Sequence, residues 1–150
     1  AYKTSTNALM GDFKSGKLYQ ENRDQYFAKI SSVCNHFKGG IGNVEKALNS
    51  VILTSQDLKD KPEQGADFVY DVFEVLDCYV DFICEDFQSF KETVTKVVAK
   101  ELFAWRCSVD FNLVEQRVSD LHKYVHRVRI ELLSQFMNEL SDEQLVKRKV

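Results

Sequence analysis

Residues 63–87 read EQGADFVYDVFEVLDCYVDFICEDF, and this stretch decides the fold. Acids fall at Asp67, Asp71, Glu74, Asp77, Asp81 and Glu85 in steps of three or four, so on a helix they line one face. Phe68, Val69, Val72, Phe73, Val75, Leu76, Tyr79, Val80, Phe82 and Ile83 cover the rest. An apolar arc that wide belongs to a helix with neighbours on two or three sides. The segment is expected to be the central helix of a bundle.

The same logic extends in both directions. Ser55 to Pro62 is a polar connection, and Pro62 suits the first turn of the central helix. Before it, Asn43 can cap a helix carrying Val44, Ala47, Leu48, Val51 and Ile52. Gly39-Gly40-Ile41-Gly42 is expected to stop an earlier helix that starts at Asn22 or Asp24 and carries Tyr26, Phe27, Ile30, Val33 and Phe37. Residues 1–21 form a polar arm with Gly11, Gly16 and room for one short helix.

Downstream, Ser89-Phe90-Lys91-Glu92 matches a capping box, which places a turn near Gln88. The next helix carries Val94, Val97, Val98, Leu102, Phe103 and Trp105, and Ser108-Val109-Asp110 marks a kink or a break. A long helix follows through Leu113, Val114, Val118, Leu121, Val125, Val128, Leu132, Leu133, Phe136 and Leu140. Ser141-Asp142-Glu143-Gln144 is a second capping box that opens a short terminal helix. Nothing alternates with period two. The expected fold is all-α: one helical domain over residues 22–150, a single bundle of about five helices, behind the arm.

Composition agrees. The 150 residues weigh 17.4 kDa, with 44% hydrophobic and 29% charged side chains, which excludes a disordered tail. A chain of this length buries roughly 70% of its unfolded surface, enough for a core without staples. No apolar run reaches the ~20 residues that cross a bilayer. A net charge of −3 argues against bulk nucleic-acid binding.

Cys34, Cys78, Cys84 and Cys107 fit no zinc spacing and contain no C-x-x-C. Two readings stay open: two disulfides in an oxidising compartment, or small buried hydrophobes in a reducing one. The expectation is two disulfides. Cys78 and Cys84 on one helix stand ~9 Å apart in rise and roughly 240° in rotation, beyond the reach of a bridge. With a hairpin turning near Gln88, Cys78 is the cysteine closest to opposite Cys107, which favours Cys34–Cys84 with Cys78–Cys107. The start at Ala1-Tyr2-Lys3 fits a mature secreted chain and equally a trimmed one. N-x-[S/T] sequons do not occur.

Catalytic signals are weak. His122 and His126 stand at i and i+4, but Lys123 occupies the place of a zincin glutamate, and Lys123 and Arg127 oppose a cation. The glycine cluster lacks the Lys-Ser/Thr of a phosphate loop, and no G-x-S-x-G elbow occurs. The expectation is no enzyme, no metal and no cofactor. Charge asymmetry says more: Asp57–Glu92 holds eleven acids and three bases, while Arg117–Val150 holds seven bases and five acids. Arg117, Lys123, Arg127 and Arg129 are the candidate protein-binding face, against a background of internal pairing. Trp105 beside Arg106 is a candidate interface anchor. Eleven phenylalanines could line a cavity for a small hydrophobic ligand or fill a plain core.

The mature-looking start, the helical chain of this size and the four cysteines together resemble the small secreted salivary proteins of blood-feeding insects. Within that group the likeness is to the mosquito neutrophil-stimulating factor type and the cysteine-bearing helical domain of collagen-binding antiplatelet proteins. Insect odorant-binding proteins use C-x-x-x-C and C-x8-C; here the close pair is C-x5-C, which counts against that fold. The resemblance implies a secreted, extracellular effector that binds a host protein or receptor to modulate inflammation or haemostasis. A carrier of a small hydrophobic ligand and an intracellular helical adaptor with reduced cysteines are the rival readings.

Overall fold

The structure is a computed structural model that describes residues 17–140 and residue 142. All regular structure among them is helical. The elements are α1 (Lys17–Glu21), α2 (Arg23–Asp57), α3 (Pro62–Val97), α4 (Lys100–Arg106) and α5 (Ser108–Asn138). The all-α class and the number of helices match the sequence, but the division differs: three helices are long and two are short. Ser141, Glu143 and Gln144 of the second capping box and residues 1–16 of the arm lie outside the described residues.

Two expected breaks do not occur. α2 runs straight through Gly39-Gly40-Ile41-Gly42, and α3 runs straight through Gln88 and Ser89. The reason is the apolar phase. In α2 the buried positions Tyr26, Ile30, Val33, Phe37, Gly40, Val44, Leu48, Val51 and Ser55 follow one another at three- and four-residue steps across the glycines. In α3 the sequence Val69, Phe73, Leu76, Val80, Ile83, Phe87, Phe90 and Val94 does the same across the capping box. A buried stripe that never changes phase holds a helix together against glycine's propensity cost of about 1 kcal/mol per residue.

Helix ends follow local chemistry. Asn22 caps α2, its Oδ1 accepting from the Gln25 amide at 3.1 Å. After Asp57 the chain turns through Leu58–Lys61, and Pro62 opens α3. Ser55 is buried, and its hydroxyl donates to the Val51 carbonyl at 2.8 Å. At the junction of α4 and α5 the Cys107 amide donates to Phe103 O at 2.8 Å, and Phe111 N to Cys107 O at 3.1 Å. The helical hydrogen bonding thus continues past a kink at Cys107.

The described residues divide into two compact units. One contains those up to Gly42 with Asp81–Asp120; the other contains Asn43–Val80 with Leu121 onward. The first has an aromatic core: Phe37, Phe87, Phe90 and Phe111 are at most 1% exposed. Phe90 stacks on Phe111 at 5.3 Å between centroids, and Phe37 meets Phe87 edge-on at 5.4 Å. Tyr19 of α1 joins this unit through edge contacts with Tyr26 and Phe27. The second unit is mainly aliphatic: Val44, Leu48, Val51, Val69, Leu76, Leu121, Val125, Val128 and Leu132 are buried, with Phe73 and Phe136.

The four cysteines are free, and no two lie at disulfide distance, so the expected bridges Cys34–Cys84 and Cys78–Cys107 are not formed. The pairing rested on a hairpin at Gln88. Because α3 continues to Val97, the chain turns only at Val98 and Ala99, and that register is lost. Phe90 and Phe87 face Phe111 instead.

Candidate functional site

The most exposed large apolar side chains of the first unit are Trp105 at 76%, Val109 at 78% and Leu113 at 48%. They stand at i, i+4 and i+8, so they form one stripe across the kink between α4 and α5. The local sequence explains why the stripe points outward. Phe103 turns inward to Phe111, with centroids 5.1 Å apart, and Cys107 and Phe111 are buried. Trp105, two residues beyond Phe103, takes the opposite side of the helix.

Arg106 holds the edge of this stripe. Its guanidinium lies 4.6 Å from the Phe27 ring centroid and 5.6 Å from that of Trp105. One turn on, Asp110 accepts from the Ser31 hydroxyl at 3.5 Å. Both contacts reach α2, so they fix the stripe's edge on a rigid element. The result is an apolar strip with a stacked guanidinium beside an indole, the residue types enriched where binding energy concentrates.

The residues of the expected basic face divide between the two units. Arg117 belongs to the first unit and is half-buried; Lys123, Arg127 and Arg129 belong to the second. Arg129 is bound to the Asp77 carboxylate and lies 5.7 Å from the Phe73 ring centroid. Arg127 sits over Tyr124 at 5.2 Å, and its Nε is 3.9 Å from Glu131 Oε1. Lys123 is exposed. Arg127 and Arg129 are roughly 200° apart around α5 and point to different sides of it. Internal pairing therefore occupies part of this set.

The cysteines are chemically quiet. Burial, with Asp110 adding to it, pushes the Cys34 thiol up to about 12. Burial raises Cys107 to about 11, with Arg106 opposing the shift, and raises Cys84 to about 11 with help from Asp81 and Glu85. Raised thiols stay protonated at neutral pH and are poor nucleophiles and ligands. Cys78 is exposed. His36 is moved the other way, lowered by burial against the pull of Asp86. Among the described residues no three His, Cys, Asp or Glu side chains gather as a metal-ligand set. No helix there is long and apolar enough to cross a membrane.

Phe37, Phe87, Phe90 and Phe111 of the first unit pack ring against ring. A separate groove of about 270 Å³ lies in the second unit, lined by Asn43, Val44, Ala47, Val75, Leu76 and Tyr79. The sequence singled out Trp105 and Arg106 but counted Leu113 only among the apolar residues of the last long helix. The spacing of Trp105, Val109 and Leu113 was the available signal, and it needed the Cys107 kink to fix its phase. Compared with known proteins, the chain matches no family model, no curated protein and no solved structure.

Proposed function

We propose that this protein acts by binding another protein, through the Trp105–Val109–Leu113 stripe and Arg106, and performs no chemistry of its own. The observation that carries the reading is Trp105: a large apolar side chain, 76% exposed, beside a guanidinium held in place by stacking on Phe27. A guanidinium already held on Phe27 loses little freedom on binding, and an exposed indole beside it offers a large apolar contact. The likeness to salivary proteins of blood-feeding insects makes an extracellular host protein or receptor the first partner class, with modulation of inflammation or haemostasis as its outcome. A second reading, an adaptor of a reducing compartment, is favoured by the four free cysteines.

The test is a titration. Proteins retained by the immobilised chain from plasma and from cell extract are purified and titrated one at a time against wild type, Trp105→Ala and Val109→Ser. Trp105→Ala should weaken a true partner by about 2 kcal/mol or more, roughly thirtyfold. The thermal midpoint should stay put, because the side chain is exposed. Charge reversal at Lys123 and Arg127 should change the association rate more than the dissociation rate if those residues steer the encounter. Equal affinity for wild type and Trp105→Ala would refute the assignment. The source of the partner, plasma or cell extract, separates the two compartments.

A further inference from the structure

α3 carries two apolar seams, and its own unit buries only one of them fully. In the second unit, Ala66, Val69, Phe73, Leu76 and Val80 are buried. Phe68, Val72, Val75 and Tyr79 form a second seam with the same alternation of four- and three-residue steps. Along it, Phe68, Val72 and Tyr79 are half-buried and Val75 is 68% exposed. Val75 and Tyr79 then make one wall of the groove of about 270 Å³ whose other wall is Asn43, Val44 and Ala47 of α2. This is the apolar arc that the sequence assigns to neighbours on two or three sides, with one side open among the described residues.

Charge says what could fill that side. Beside the seam, Asp67, Asp71 and Glu74 stand exposed at steps of four and three. Between Pro62 and Val80 there are five acids and no lysine or arginine; Asp77 among them binds Arg129, and Asp71 and Glu74 are the exposed acids on which the charge argument rests. An occupant must therefore bring apolar side chains at helical spacing and positive charge beside them. The groove is smaller than the ~300–1,000 Å³ typical of drug-sized pockets and lies open, so it suits single side chains of a docked helix better than an enclosed small molecule. Two described arginines of the same unit are already engaged, Arg129 held by Asp77 and Arg127 lying beside Glu131. We infer that the groove between Asn43–Ala47 and Val75–Tyr79 is a docking site for a basic amphipathic helix of a partner protein.

The probe is a fluorescent synthetic peptide of leucine and lysine, with leucines at i, i+3, i+4 and i+7, set against the same peptide with glutamate in place of lysine. Wild type should bind the lysine peptide and not the glutamate one. Asp71→Lys with Glu74→Lys should weaken binding at least about tenfold, and added salt should weaken it in wild type. Val75→Glu is the discriminating variant. Simple attraction between opposite charges would make it bind more tightly, whereas an apolar groove loses at least about tenfold. Val75 is exposed, so the variant should keep its circular dichroism and unfolding midpoint.

Trp105→Ala should leave peptide binding within about twofold, which keeps this test separate from that of the first surface. Unchanged or tighter binding by Val75→Glu, equal loss in Trp105→Ala, or no binding by wild type would each overturn the inference. So would a wild-type dimer in sedimentation that Val75→Glu abolishes, because the occupant would then be a second copy.

Discussion

The two units are built from the same three long helices, yet they solve the packing problem differently. The first fills its interior with rings: Phe37, Phe87, Phe90 and Phe111, with Phe103 closing one side. It also buries two thiols, Cys34 and Cys107, each 1% exposed. The second relies on valine and leucine and gains closeness at Gly65. A Cβ there would lie 2.3–2.6 Å from three ring carbons of Phe136. Rings make large contacts at the cost of a demanding shape, while small aliphatic layers accept a close approach. The difference teaches where each unit is vulnerable: the first to truncation and ionisation, the second to added volume.

Truncation should produce the largest effect. Phe111 touches Phe87, Phe90 and Phe103, so Phe111→Ala should cost about 3–5 kcal/mol in urea unfolding. Leu48→Ala in the second unit, also fully buried, should cost about 2–4 kcal/mol. Aromatic pairs add about 0.5–1.5 kcal/mol beyond area. Equal losses would mean that the ring geometry contributes nothing and would dissolve this part of the comparison.

Ionisation comes next. Cys34 and Cys107 are raised from 9.0 to about 12 and about 11, chiefly by burial. A thiol with a raised native pKa binds its proton more tightly when folded. Its contribution is therefore whole below pH 9 and is lost as pH climbs towards 11–12. Each such thiol should tilt stability by at most about 1.4 kcal/mol per pH unit across its window. Cys34→Ala should flatten the alkaline limb of a stability–pH curve. A thiol reagent on the native protein should meet Cys78 first and reach Cys34 and Cys107 only on unfolding. Parallel limbs for wild type and Cys34→Ala would refute the burial argument.

These residues also show how much of the molecule was legible. The helical class, the cap at Asn22 and the start at Pro62 follow from spacing and side-chain chemistry that act within one turn. Helix boundaries near Gly39–Gly42 and Ser89 did not, because there a local signal competes with a stripe that keeps phase over the whole helix, and the stripe wins. The disulfide pairing inherited that error. As for surfaces, the exposed indole at Trp105 was visible as a residue type. Its continuation to Val109 and Leu113 depended on the kink at Cys107, which no local pattern fixed. Arg129 belonged to a basic list in the sequence, and only the fold brings Asp77 to it.

The smallest effects form the sharpest contrast, because one substitution should change sign with place. At Gly65 the new methyl would collide with the Phe136 ring. Gly65→Ala should therefore lose about 1–3 kcal/mol, even after a helix-propensity gain of about 1 kcal/mol. Phe136→Leu should relieve part of that collision when combined with it. At Gly39 and Gly42 a Cβ would meet nothing within 4 Å. Both positions lie inside α2, so alanine there should only restrict the unfolded chain and improve helix propensity. Each change should stabilise by about 0.5–1 kcal/mol, raising the thermal midpoint by a few degrees. Calorimetry of the Gly39→Ala/Gly42→Ala double variant reads this directly. A loss of stability would mean that the glycines are needed where they are, and that α2 does not pass through them as an ordinary helix. A gain would show the opposite: residues that mark a turn in the sequence are carried through by the apolar stripe from Phe37 to Leu48, at a cost the fold can do without.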